Sequence, residues 1–495
     1  MSAGQKSAEG IVGRLRQVEG PNVGWGSRTG DLVTAKRQKI QLELAFGTTA
    51  TGEPRSLGQE GTETGTAASR PETPAASGPL MEAVVERDNL RKALAQVRRN
   101  KGAPGVDGMT VDELASYLRD HWPAIRIQLL NGTYRPQPVL RVEIPKVGGG
   151  GGMRSLGIPR VLDRFIQQAV LQVLQPSWDP TFSDASFGFR PGRSAHQAIA
   201  RAQAYIAEGY ACVVDLDLEK FFDRVDQDLL MGLVAKRVGD HRLLRLIRGF
   251  LSAGVLAKGL VGPTDEGVPQ GGPLSPLLSN LMLDVLDQEL ARRGHRFVRY
   301  ADDCNIYVRS RRAGERVMAS VTRFVTTRLK LRVNATKSAV DQPSRRKFLG
   351  FSFTPGKGPP RRRVAPQALV RFKERVRVLT RRARGINLQQ MLEDLRVYLV
   401  GWLGYFGYCQ TPTVLRMLEQ WIRRRLRAVA WMQWRNGWNR FDQLSKRGVP
   451  RRLAAQTASS AHGPWRIAAS PALNIALSNK TLAALGLPPL VPKAA

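Results

Sequence analysis

Phe297-Val298-Arg299-Tyr300-Ala301-Asp302-Asp303-Cys304-Asn305-Ile306-Tyr307-Val308 is an apolar run interrupted near its middle by two adjacent acids. Aromatic and β-branched residues flank the acids on both sides, so the run reads as a hairpin with Asp302 and Asp303 at its tip. Neighbouring carboxylates in an apolar setting repel each other and call for a counter-charge. A divalent cation supplies one; a solvated polar turn is the plainer alternative. A second acidic segment weighs against the plainer one. In Val213-Val214-Asp215-Leu216-Asp217-Leu218 the acids alternate with apolar residues and share one face of a strand. Two short acidic strands separated by a helical module can converge on two ions about 4 Å apart, which activate a 3′-hydroxyl and stabilise in-line phosphoryl transfer.

Around these segments helices and strands alternate. Residues 162–174 are helical, 211–216 are β-rich, 227–250 are helical in two pieces, and 273–293 form a helix with Pro in its first turn. Residues 317–329 read as a helix and 347–353 as a strand. This mixture predicts an α+β fold rather than a doubly wound sheet. Upstream, Leu90, Leu94 and Val97 recur at helical spacing until Lys101-Gly102-Ala103-Pro104-Gly105 stops the helix; another helix spans 111–130. Residues 140–144 and 155–158 are the strands of a hairpin whose tip, 148–152, is five glycines. Downstream, 361–385 hold ten Arg/Lys and one acid, Glu374, with Phe372, Val376 and Leu379 on one helical face. Helices over 388–406 and 414–434 complete an all-α basic domain. The expected division is a disordered extension over 1–79, an α+β domain over 80–355, the helical domain over 356–445, and a small C-terminal segment, 446–495, open to a DNA-binding role. The extension is assigned from 47–79, which is almost wholly Gly, Thr, Ser, Ala, Pro and Glu.

Composition narrows the partners. Lys plus Arg number 76 against 41 acids, a net charge of +35, which points to a polyanion. No apolar run reaches the length of a membrane span. Three well-separated cysteines, Cys212, Cys304 and Cys409, fit a reducing cytoplasm and no disulfide framework.

The ordered segments together resemble the reverse transcriptases, and among them the bacterial group II intron-encoded proteins. The likeness is carried by 100–108 (NKGAPGVDG), 154–159 (RSLGIP), 186–194 (SFGFRPGRS), 215–223 (DLDLEKFFD), 267–276 (GVPQGGPLSP), 300–303 (YADD) and 348–351 (FLGF). It implies a right-hand polymerase: a fingers–palm reverse transcriptase domain followed by a thumb/maturase domain. It also implies RNA-directed DNA synthesis with two Mg²⁺ ions, Mn²⁺ being the substitute. Asp217, Asp302 and Asp303 match the metal-binding, catalytic triad, with the Leu218 backbone carbonyl as a further ligand; Asp215 is the alternative to Asp217. Phe222 matches the aromatic that excludes a ribose 2′-OH, unless Phe221 holds that place. Gln270, Lys146 and Arg154 match dNTP-binding positions. Arg190 and Arg193 face either nucleic acid or solvent. The runs 395–406 and 421–427 resemble the maturase region and suggest Arg423, Arg424 and Arg427 as RNA-binding residues, whereas Trp402 and Phe406 read as core.

The implied partners are group II intron RNA, an RNA template with a DNA primer, target DNA and dNTPs, with no membrane; a homodimer is compatible. A nuclease domain of the His/Asn type, bracketed by cysteine pairs, is not expected, since no cysteine follows Cys409. Two other readings compete: a reverse transcriptase recruited to phage defence, sequence diversification or spacer acquisition, and a non-catalytic RNA-splicing chaperone. The intact aspartates and Pro269-Gln270-Gly271 oppose the chaperone, and the maturase-like helices oppose the recruited enzyme.

Overall fold

A computed structural model describes residues 78–145, 153–257, 260–262, 266–269, 271–356, 358–381 and 384–491. The N-terminal extension (apart from its last two residues) and the poly-Gly tip fall outside them. Three helices come first: α1 (Leu80–Val84), α2 (Arg87–Asn100) and α3 (Leu114–Leu130). α2 buries Leu90, Leu94 and Val97 and stops at Lys101, whose φ of 45° is left-handed. The glycine hairpin follows as β1 (Val139–Pro145) and β2 (Met153–Ile158), antiparallel with Leu140 opposite Ile158.

Next come α4 (Val161–Trp178), α5 (Ala195–Ala207), β3 (Cys212–Leu216), α6 (Gln227–Ala235), α7 (His241–Leu251), β4 (Val255–Ala257) and β5 (Leu260–Gly262). They are followed by α8 (Ser275–Arg292), β6 (Arg296–Tyr300), β7 (Asp303–Val308), α9 (Arg311–Arg328), β8 (Ala339–Asp341), β9 (Phe351–Phe353) and β10 (Arg362–Val364). Two four-stranded sheets result. One has the order β2-β1-β4-β5, and the other, which carries the acids, has the order β6-β7-β3-β8. The acidic sheet is antiparallel throughout, with Asp215 opposite Asn305 of β7 on one side and Ala339 of β8 on the other. The α+β expectation holds.

Several boundaries differ from the sequence reading. The helix read over 273–293 begins at Ser275, with Pro276 in its first turn, and the helix read from 317 begins at Arg311 under a Ser310 cap. The strand read over 347–353 is mostly a tight turn. Phe348 and Phe351 exchange both backbone hydrogen bonds around Leu349 and Gly350, whose φ values of 52° and 80° turn the chain back on itself.

The basic region folds as α10 (Pro366–Leu379), α11 (Leu388–Phe406) and α12 (Pro412–Gln433). Five further helices continue from it: α13 (Gly437–Lys446), α14 (Arg451–Ala458), α15 (Pro464–Ile467), α16 (Pro471–Ala476) and α17 (Asn479–Ala484). One apolar core packs the acidic sheet against the helices, with Phe165, Leu216, Phe297 and Ile306 in it. A second runs from Val364 to Leu490 and unites α10–α12 with the C-terminal helices. Trp402 is core as expected, stacked on Phe406 at 4.8 Å and 4.5 Å from Phe372. Burying side chains of this size stabilises each core by about 1.5–3 kcal/mol apiece. A third cluster joins the two parts: Phe187, Tyr300, Phe351 and Tyr405 are buried together, and the Tyr405 hydroxyl donates to the Leu349 carbonyl at 2.8 Å.

Candidate active site

Two strand ends build the site. β6 and β7 pair up to Tyr300 and Asp303, leaving Ala301-Asp302 as a two-residue loop. Ala301 has φ 57°, the left-handed geometry that lets a tight hairpin follow the strands' twist. β3 lies beside β7, with Leu216 opposite Cys304. Continuing that register by one residue puts Asp217 level with Asp303, on the face that also carries Asp215.

The tip is held from behind by buried charge. Arg299, fully buried, pairs with Asp287 of α8 at 2.6 Å, and its Nη1 donates to the Asn280 side chain at 3.0 Å and the Ala301 carbonyl at 2.9 Å. Such a pair survives without water because each of the three guanidinium nitrogens has a partner. Asn280 also donates to the Gly188 carbonyl at 2.9 Å, and Gly188 leaves no room for a side chain: a Cβ there would lie 2.2 Å from the Ala301 nitrogen. The Ser-Phe-Gly-Phe segment therefore packs directly on the acidic turn. The sequence reading missed this clamp. Its signal was a polar stripe, Asn280, Asp284 and Asp287, on an otherwise apolar helix, and an arginine inside an apolar strand.

Around Asp217 the loop 334–338 meets the amide, the carbonyl and the carboxylate. The Asn334 amide donates to the Asp217 carbonyl at 2.8 Å, the Asp217 amide donates to Ser338 Oγ at 3.0 Å, and Lys337 Nζ stands 3.6 Å from the Asp217 carboxylate. Leu218 bridges Val333 through bonds made by the Asp217 carbonyl and the Glu219 amide. The Leu218 carbonyl consequently points to the opposite edge, where β7 lies. Asp215 is engaged elsewhere, with Arg346 Nε at 2.9 Å and Nη2 at 2.5 Å. Burial raises the Asp215 carboxyl above its ordinary value, and Arg346 opposes that rise. Desolvation, and then the Arg371 charge, lower the Lys347 ammonium, while Asp303 and Asp215 pull it back up. Lys337, Arg346 and Lys347 were missed in the sequence, because single bases are inconspicuous in a chain of net charge +35. Among the described residues no three His, Cys, Asp or Glu side chains converge closely enough to hold a metal ion. The donors nonetheless suit a hard divalent cation: carboxylates at the ends of two adjacent strands and an edge-facing carbonyl.

The aromatic pair sorts itself. Phe221 is core at 2% exposure, whereas Phe222 is half-buried and meets it edge-on at 5.2 Å. The Phe222 carbonyl accepts from Val268 at 2.7 Å. Further along that loop, a Cβ on Gly271 would lie 2.2 Å from the Gly157 carbonyl of β2. The loop thus runs between the Phe222 turn and the glycine hairpin. Gln270 itself and Lys146 lie outside the described residues; Arg154 stands on β2, paired with Ile144.

Several arginines read as nucleic-acid contacts are engaged by the chain itself, and two of them, Arg190 and Arg427, are buried. Arg190 is buried, bonded to Asp179 and to the Ser183 and Ser186 carbonyls, and so neither faces solvent nor is free for a phosphate. Arg193 pairs with Asp184 at 2.7 Å. Arg427 is buried and donates to the Leu477 carbonyl at 3.0 Å. Arg423 pairs with Glu419, and Arg424 lies over the Trp465 ring at 4.4 Å and donates to its carbonyl. Arg424 and Arg427 bind the chain's own C-terminal helices, because 464–490 cover the helix face that the sequence left looking solvent-exposed, whereas Arg423 is paired within α12.

Residues 144–353 match the reverse transcriptase (RNA-dependent DNA polymerase) family, and residues 369–448 match the maturase-specific domain of group II introns. The chain therefore carries a reverse transcriptase domain followed by a group II intron maturase-specific domain. The Escherichia coli protein YkfC is 39% identical over 220 residues, 43% of this chain and 57% of its own. The group II intron-encoded protein LtrA of Lactococcus lactis is 39% identical over 189 residues, 38% of this chain and 31% of its own. The chain thus spans about half or less of the length of these curated relatives. Among solved structures, a partial Cas6-RT-Cas1–Cas2 complex is similar at 25% identity and a TM-score of 0.34, over 51% of this chain and 43% of that one. Reverse transcriptases of this family work with divalent metal ions and bind nucleic acid. No helix among the described residues is long and apolar enough to cross a membrane.

Proposed function

We propose that this chain is an RNA-directed DNA polymerase that extends a DNA primer on an RNA template and also binds group II intron RNA to assist splicing and mobility. The observation that carries the reading is the register of the acidic sheet, which sets Asp217 level with Asp303 at a tip held by Arg299. Asp217, Asp302, Asp303 and the Leu218 carbonyl would hold two Mg²⁺ ions, with Mn²⁺ as substitute. The ions supply charge for the attacking 3′-hydroxyl and the departing pyrophosphate. The rest of the work belongs to the chain. Lys146, Arg154 and Gln270 bind the dNTP, and Phe222, half-buried, closes the space a ribose 2′-OH would need. Arg299 and Gly188 fix the turn so that the carboxylates need no rearrangement during reaction. For RNA, half-buried Arg423 and Arg424 stay as proposed contacts, and the outward bases of α10 and Trp438, 86% exposed on α13 in a basic stretch, take the place of buried Arg427. The C-terminal helices are the proposed site for target DNA.

Primer extension and filter binding on one preparation test the reading. Asp302→Ala or Asp303→Ala should abolish cDNA synthesis and leave RNA binding nearly intact, because these acids act on the transition state rather than on RNA affinity. A variant that still extends at a tenth of the wild-type rate refutes the metal-site assignment.

A further inference from the structure

We propose that Asp215 and Arg346 are a positioning pair for this site: their ion pair braces the loop 334–338, which in turn sets Asp217. The proposal rests on the polymerase reading above. Asp215 lies on β3, and Asp217 follows one residue past its end, on the same face when the register is continued. They are nevertheless held differently. Asp215 lies between two strands with a side chain 19% exposed, and the Arg346 fork meets it at 2.9 and 2.5 Å. This occupies the carboxylate with a permanent cation and leaves the metal role to Asp217.

Arg346 does a second thing with the same group. Its Nη2 also donates to the Lys337 carbonyl at 2.7 Å. Lys337 belongs to a compact turn in which the Lys337 and Ser338 amides donate to the Asn334 carbonyl at 3.2 and 2.9 Å. That turn touches Asp217 at three points: amide, carbonyl and carboxylate. Arg346 therefore links the strand carrying Asp215 to the loop that grips Asp217, and closes a ring of contacts around the exit of β3. A lysine in its place would keep the charge, but its point ammonium would not span the carboxylate and the carbonyl as the planar fork does. Neither Asp215 nor Arg346 needs to touch substrate for this role.

The test uses the full chain in single-nucleotide primer extension, with kcat, KM for dNTP, Kd for primer–template and a thermal melt for each variant. Arg346→Lys should melt like the wild type and bind primer–template within twofold, but lose tenfold or more in kcat. Asp215→Asn combined with Arg346→Gln removes both charges together, so no unpaired charge remains to unfold the chain, and the same kcat loss is expected. Adding Lys337→Ala to Arg346→Lys should cost no more than the worse single change, because both act through one loop. A wild-type kcat in Arg346→Lys and in the neutral pair overturns the proposal. So do losses that multiply with that of Lys337→Ala, or a kcat loss seen only where the melt also falls. Failure of the polymerase reading itself would appear separately, as extension that survives Asp302→Ala.

Discussion

Replacing Gly188 by alanine adds one methyl group, and its target is the catalytic turn. That carbon would stand 2.2 Å from the Ala301 nitrogen and 2.9 Å from the Tyr300 carbonyl carbon, whereas ordinary contact begins near 3.4 Å. The atoms met are backbone, so no side chain can swing away. Relief means that the turn or the Ser-Phe-Gly-Phe segment moves by about 1 Å, and a displacement of that size at reacting groups costs roughly 10²-fold in rate. The segment resists moving because the Phe187 amide is bonded to the Arg299 carbonyl at 2.9 Å and Asn280 holds the Gly188 carbonyl. The turn resists because Arg299 holds the Ala301 carbonyl. Gly188→Ala should therefore lower kcat about 10²-fold with overpacking strain of about 1–3 kcal/mol, and leave primer–template affinity unchanged. Gly192→Ala is the control: its φ of 69° makes a side chain strained, but a Cβ there meets nothing within 4 Å. It should cost about 1–2 kcal/mol of stability and little rate. Steady-state extension beside a thermal melt separates the two. Wild-type kcat in Gly188→Ala, or equal kcat losses in both variants, refutes the argument that this glycine sets the turn.

Three further outcomes are expected. Phe222→Ala should raise rNTP incorporation relative to dNTP, read as a ratio of kcat/KM values; an unchanged ratio means that the ring does not reach the sugar. Arg427→Ala should lower the melting temperature by loss of a buried hydrogen bond worth about 1–3 kcal/mol, with RNA binding at low temperature little altered; weakened RNA binding at an unchanged melt contradicts the inward placement. Asp163, buried and bonded to the Tyr134 hydroxyl at 2.8 Å, has its carboxyl pushed up to about 6, mainly by burial. An acid raised in the folded state favours folding most when protonated, so its contribution fades as pH rises from 3.8 through 6. Denaturant melts of Asp163→Asn across that window should show a stability difference from wild type that changes with pH; a constant difference refutes it.

What the sequence disclosed and what it hid divide along a physical line. Local pattern exposed β3 through alternation with apolar neighbours, and β6 and β7 through an apolar run broken by two acids, because such patterns are written into a few residues at a time. It exposed Phe372, Val376 and Leu379 as one face of α10 for the same reason, and all three are buried. The acids at the tip were legible because carboxylates among apolar residues are costly wherever the chain goes next. Arginines carry no such mark. Their long stems bury as readily as they solvate, so Arg299, Arg346 and Arg427 look alike in sequence to the exposed Arg377 and Arg381. Which arginine is structural depends on what later segments bring to it: Asp287 for Arg299, Asp215 for Arg346, and the Leu477 carbonyl for Arg427. In a chain this basic, net charge identifies the partner as a polyanion, but it cannot say which cations meet that partner. Only the tertiary pairing does, and here it assigns several of the most conspicuous arginines to holding the protein itself.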